Sequence, residues 1–187
     1  MLGDISHFLI EIAFTLFGAA LAARIWMHAL RLHPYNPVAQ AVHQFTHWLV
    51  APLRRVVPQH RTLDVAALLA LWLTALVYLL AMWLVSTGTL PPAQILARAL
   101  GVAALTAAKW GLNLVVWMTL AQVILSWVNP LAPIMALLQT LTAPLLAPIA
   151  RIVPHFGGLD LSPLALLILA QVLMLMLNRM GYMLFGV

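Results

Sequence analysis

Cysteine is absent from the 187 residues, and there are only four aspartates and glutamates against nine lysines and arginines. The first absence removes disulfide frameworks, thiolate metal sites and cysteine nucleophiles together, and leaves the redox compartment unstated. Scarcity of charge excludes more. Charged residues make up 7% of the chain and apolar residues 65%, where a soluble domain has about a quarter charged and about half apolar. So few charges cannot clothe a globule of this size, which excludes a soluble fold. The net charge of +5 is spread thinly over apolar sequence and builds no basic patch, so nucleic acid is not an expected partner. An anionic membrane face accounts for the excess. Also missing are a phosphate loop, a nucleophile elbow and paired carboxylates at catalytic spacing. No enzymatic activity and no cofactor are therefore expected.

What is present is hydrocarbon-length apolar sequence. Crossing roughly 30 Å of hydrocarbon takes about 20 apolar residues at 1.5 Å each, and four stretches qualify. They are His7 to Leu32, interrupted by Glu11 and Arg24; the uncharged Val65 to Thr87; Val102 to Val128; and Leu161 to Phe185. Ahead of the third, the segment after Pro91 and Pro92 reads as a short interfacial piece, because Arg98 and Lys109 break the apolar run. Ala20-Leu21-Ala22 has the look of a signal cleavage site, but Asp4 and Glu11 replace a positive leader, so an uncleaved anchor is expected. Cations favour the two long connections: Arg31, Arg54, Arg55, Arg61 and Arg151 lie there, against Arg98, Lys109 and Arg179 elsewhere. That bias predicts cytoplasmic connections with both termini outside.

Shifting the chain by 96 residues exposes a duplication. Pro34, Pro37, Thr46, Leu49, Ala51, Pro52, Arg55, Val57, Pro58, Leu63 and Asp64 coincide with Pro130, Pro133, Thr142, Leu145, Ala147, Pro148, Arg151, Val153, Pro154, Leu159 and Asp160. Composition supplies matches at Leu, Ala and Val, but not four prolines, an arginine and an aspartate in register. The expected architecture is all-α and integral to the membrane: one domain, 1–187, made of repeat one (1–90) and repeat two (91–187), with four transmembrane helices. Each repeat is helix, connection, helix, and an even number of spans makes the repeats parallel. In the first connection Asn36-Pro37 has the grammar of a helix start. Val38, Val42, Phe45 and Leu49 then form an apolar stripe opposite Gln40, Gln44 and His47, and Pro52 and Pro58 close the helix. The second connection, 134–153, has almost no polar face and reads as either re-entrant or interfacial. Its start lacks the capping asparagine, since Ala132 precedes Pro133.

The residues of the duplication also carry a resemblance. Pro34-Tyr35-Asn36-Pro37, Thr46 and Pro52-Leu53-Arg54-Arg55-Val56-Val57-Pro58 resemble the repeats of the YGGT family of small bacterial membrane proteins. So does the echo in Asn129-Pro130, Thr142-Ala143-Pro144 and Pro148-Ile149-Ala150-Arg151-Ile152-Val153-Pro154. The resemblance covers nearly the whole chain and implies a multi-pass protein of the bacterial inner membrane. It further implies connections with tolerance of osmotic stress, with cell division and nucleoid organisation, or with maturation of membrane cytochromes.

Candidate sites follow from the charges. Arg55 and Arg151 each precede an aspartate, Asp64 and Asp160, by nine residues at the start of a span. An aspartate there caps orphan amides and meets the positive end of the helix dipole, and an arginine–aspartate pair would keep the charge neutralised. The functional alternative is a repeat-equivalent charged platform that binds an anion, a headgroup or a partner. Glu11 and Lys109 lie at nearly equivalent repeat positions and form either an intramembrane ion pair or two charges that reach water independently. His43 and His47, four apart on one helix face, are weak metal or haem candidates; their repeat counterparts are Gln139 and Ala143. Three functional classes are then open: an organising or assembly factor using the platform, a channel- or transporter-like unit in ion or osmotic balance, and a haem-handling factor. Expected partners are the lipid bilayer, a membrane protein and, for conduction, a second copy of the chain.

Overall fold

In a computed structural model the chain is described over residues 2–32, 36–57, 63–153 and 160–185. Pro34, Tyr35, Pro58, Arg61, Pro154 and Leu159 of the expectations above lie outside the described residues. Six helices follow in order: α1 (Leu2–Ala29), α2 (Pro37–Leu53), α3 (Val65–Thr87), α4 (Ala93–Val128), α5 (Pro133–Ala150) and α6 (Ser162–Phe185). No strand occurs among the described residues. Five of the helices, all but α2, are long and apolar enough to cross a membrane by length and composition.

Local chemistry sets the ends of these helices. At α2, Asn36 accepts from the N–H groups of Val38 and Ala39 (3.0 and 3.3 Å) and Pro37 occupies the first turn, where its missing amide costs nothing. Helix α3 starts behind Asp64, whose Oδ1 accepts from Ala67 N–H (3.1 Å), and stops at Gly88, whose φ of 67° needs no Cβ. Helix α1 ends in a Schellman motif, with Leu32 N–H on Met27 O (3.1 Å) and Arg31 N–H on His28 O (3.0 Å). The residue in the left-handed position is Arg31, φ 52°, the one non-glycine residue with positive φ among those described.

Helix α4 corrects the expectation of an interfacial piece followed by a separate span. Its 36 residues form one helix, about 54 Å long. Arg98 and Lys109 interrupt hydrophobicity but not the backbone ladder, and no proline falls between Ala93 and Val128.

The chain divides into two compact units, Met1–Gly111 with Met180–Val187, and Leu112–Arg179. In the first, α1, α2 and α3 pack against one another. Near mid-helix, Phe14 meets Tyr78 and Tyr78 meets Trp110, with ring centroids 5.8 and 5.7 Å apart. Gly18 lies against the Trp110 ring so closely that a Cβ there would overlap it, so a small residue is what lets α4 approach α1.

Candidate functional site: a buried arginine–aspartate centre

Helix α2 turns inward a face different from its apolar stripe. The buried residues are Ala39, Thr46 and Val50, with His43 half-buried on the same side, while Val38 and Phe45 are exposed. In water this would be inverted; against lipid, hydrocarbon takes the greasy face and small or hydroxyl side chains suit the contact between helices.

What the inward face meets is Arg24 of α1, 1% exposed. Its Nη1 donates to Thr46 Oγ1 at 2.8 Å and to the His43 carbonyl at 3.4 Å, and the Thr46 hydroxyl in turn donates a hydrogen bond to Val42 O (2.7 Å). Arg24 Nε stands 3.5 Å from Asp64 Oδ2, and Arg54, in the turn after α2, donates from Nη2 to the same oxygen at 2.5 Å. Both Asp64 oxygens are thereby engaged, Oδ1 by Ala67 N–H. One carboxylate and two guanidinium groups thus tie α1, α2 and α3 together, and the centre keeps one positive charge in excess.

Burial by itself would push the Asp64 carboxyl up, but the hydrogen bonds from Arg54 and Ala67 and the charges of Arg54 and Arg24 outweigh it and hold the group below its ordinary value. Asp64 is therefore ionised at neutral pH and unsuited to shuttling protons. His43 is held below its ordinary value as well, first by burial and then by repulsion from Arg24 and Arg54.

The structure rearranges the sites proposed from sequence. Asp64 is bound by Arg54 and Arg24, not by Arg55, which is exposed in the turn following α2. The nine-residue spacing misplaces the partner by one position because the turn over Arg54–Val57 directs the two neighbouring arginines apart. In the second unit Arg151 and Asp160 are both exposed, and Asp160 Oδ1 accepts from Ser162 N–H (2.9 Å) at the start of α6. Among the described residues no ion pair joins Glu11 to Lys109. Trp110 packs on Gly18, which puts Lys109 about 10 Å along the α1 axis from Glu11 by helical rise. His43 is half-buried and His47 exposed, and no group of three or more residues that could hold a metal ion occurs among the described residues.

Neither Arg24, which interrupts the first apolar stretch, nor Thr46, which the duplication shares, is among the candidate sites drawn from the charges. The signal for both was present: a threonine shared by the two repeats, and an arginine within apolar sequence that needs a partner. In the second unit Thr142, fully buried, pairs with the side-chain amide of Gln122 and donates to Leu138 O (2.9 Å). There Leu120 and Ala150 stand at the positions of Arg24 and Arg54.

Comparisons with known proteins identify relatives of the chain. The CCB3/YggT family model matches residues 3–85 and 102–181. An uncharacterized protein in the proC 3' region of Vibrio alginolyticus is 38% identical over 163 residues, covering 86% of each chain. The uncharacterized protein YggT of Escherichia coli K12 is 34% identical over 171 residues, 89% of this chain and 85% of that protein. The uncharacterized protein PA0392 of Pseudomonas aeruginosa is 29% identical over 173 residues, 90% and 86% respectively. No solved structure matches. With two segments that together span most of its length fitting one model, the chain belongs to the CCB3/YggT family.

Proposed function

We propose that this protein is a non-enzymatic frame of the bacterial inner membrane that organises or assembles other membrane components. In this reading α1, α3, α4 and α6 are the four spans of two parallel repeats. Helix α5, 18 residues with Pro144 and Pro148 inside it, is about 27 Å long, at the lower limit for a span, and is re-entrant or interfacial like α2. Both connections face the cytoplasm and carry Arg55 and Arg151 as contacts for a membrane-protein partner.

The observation that supports a frame is the engagement of Asp64. A carboxylate locked by two arginines and a backbone amide fixes three helices in place and has no free proton chemistry at neutral pH. Arg55, one residue from the lock, is exposed. The test is affinity purification of the full chain in mild detergent with mass spectrometry of what accompanies it. A partner retained by the wild type and lost from Arg55→Ala/Arg151→Ala, at unchanged melting temperature, is expected. Ion flux through purified protein in liposomes, with no retained partner, would overturn the proposal in favour of conduction.

A further inference from the structure

A recess of about 820 Å³ opens where α1 ends and α2 begins, lined by Met27, His28, Arg31, Leu32, Ala39, Gln40 and His43. Its wall mixes apolar side chains with His28, Arg31, Gln40 and His43, and it shares His43 with the buried centre, since the His43 carbonyl accepts from Arg24. Behind it Arg24 and Arg54 share one carboxylate, Asp64, while Arg31 lines the recess itself and is exposed. The other acids of α1, Asp4 and Glu11, lie 13 or more residues towards its other end, about 20 Å away or more. A buried excess of positive charge without a counter-ion is costly.

Two polar side-chain atoms in this region, His28 Nε2 and Arg54 Nε, are buried without a hydrogen-bond partner, and Arg24 Nε has only its 3.5 Å ion-pair contact with Asp64. His28 itself lines the recess. The backbone gives an independent indication. Arg31 occupies the left-handed position that closes a Schellman motif, where glycine is the residue of least strain. Strain kept at a cavity wall in favour of a guanidinium argues that the side chain is used. From this convergence we infer that the recess binds an anionic phosphate group, held by Arg31 and His28 and balancing the excess charge of the Arg24–Arg54–Asp64 centre. Guanidinium forks and imidazole N–H groups match phosphate oxygens. The ligand class has two sources, the headgroup of an anionic phospholipid and free phosphate or a phosphate monoester. The inference stands apart from the frame proposed above, because it needs neither Arg55 nor Arg151.

The experiment uses the full chain purified in a neutral detergent, with native mass spectrometry as the readout. It is offered phosphatidylglycerol, phosphatidylcholine or inorganic phosphate, and its melting temperature is followed in parallel. Retention of phosphatidylglycerol over phosphatidylcholine is expected, with Arg31→Gly weakening it roughly tenfold or more, the loss that follows from removing a charge-assisted hydrogen bond. The same variant should melt at the wild-type temperature or above it, because glycine suits φ 52°. Arg31→Asn, which also tolerates the left-handed region, and His28→Leu should weaken binding likewise. Competition by inorganic phosphate identifies a free phosphate group as sufficient; absence of competition, with phosphatidylglycerol retained, identifies the lipid headgroup. Equal retention of both lipids by wild type and variants, without phosphate binding, would overturn the inference. So would a drop in melting temperature in both Arg31 variants that accounts for any loss of binding.

Discussion

The two halves of the duplication place the same threonine in the same kind of buried position and complete it in opposite ways. Thr46 meets the guanidinium of Arg24; Thr142 meets the amide of Gln122. Where the first copy has Arg24, Arg54 and a buried Asp64, the second has Leu120, Ala150 and an exposed Asp160. A buried hydroxyl needs a partner but not a charged one, so either solution satisfies it. The carboxylate is more demanding. It is drawn inside only in the copy that supplies two arginines, which is what desolvation predicts, since a buried ion without its counter-ion is worse than no ion at all. The charges of the first copy therefore behave as one set, present together or absent together.

That comparison can be broken at its strongest point first. Arg24→Leu, which imitates the second copy at one position only, strands Asp64 with Arg54 alone and should cost about 3–5 kcal/mol, the usual penalty for removing one member of a buried pair. Adding Asp64→Asn should recover much of the loss, since the neutral amide still caps Ala67 N–H and Arg54, a third exposed, can turn to water. Melting followed by circular dichroism in detergent decides it. If the double variant is no more stable than Arg24→Leu, the charges do not act as a set. The threonines come next. Thr46→Val takes an acceptor from a charged donor and should cost about 1.5–3 kcal/mol, whereas Gln122→Leu removes a neutral partner from a hydroxyl that keeps Leu138 O and should cost about 1 kcal/mol. Equal losses in the same melting assay would mean that charge adds nothing at this position.

How much of this was legible in the sequence depended on whether the determining interaction was local. The bounds of α3 follow from an uncharged apolar run behind Asp64, and the start of α2 from Asn36-Pro37; both rest on bonds within three residues. The family, too, was readable from proline and arginine spacing. The partnership of Arg24 with Asp64 was not, because 40 residues of chain separate them and nothing in the spacing announces the contact. Nor was the inward face of α2, which lies one residue off the apolar stripe: hydropathy ranks Phe45 above Thr46, and only a lipid exterior reverses which of them is buried. The continuity of α4 is hidden for a related reason. Arg98 and Lys109 interrupt hydrophobicity, whereas helix continuity is a backbone matter and no proline intervenes.

The smallest contrast between the copies is also the cleanest, because backbone geometry is nearly held constant. Asn36 and Ala132 both precede a proline at the first helical turn, with φ, ψ of −69°, 122° and −58°, 135°. Only the first has a side chain to meet the orphan amides, and no side-chain cap bond forms at Ala132. Asn36→Ala should therefore cost about 1 kcal/mol, and Ala132→Asn should return about 0.5–1 kcal/mol, because the extended backbone an N-cap requires is already in place. For a chain of this size that is a shift of about 1–4 °C in melting temperature, downward for the first variant and upward for the second. Hydrogen exchange at the Ile134 amide gives the local readout: it should slow in Ala132→Asn while the Val38 amide speeds up in Asn36→Ala. Were Ala132→Asn to leave Ile134 exchange unchanged, the start of α5 would be set by packing of Met135 and Leu138 rather than by its missing cap, and the two connections would differ in how they are nucleated as well as in what they bury.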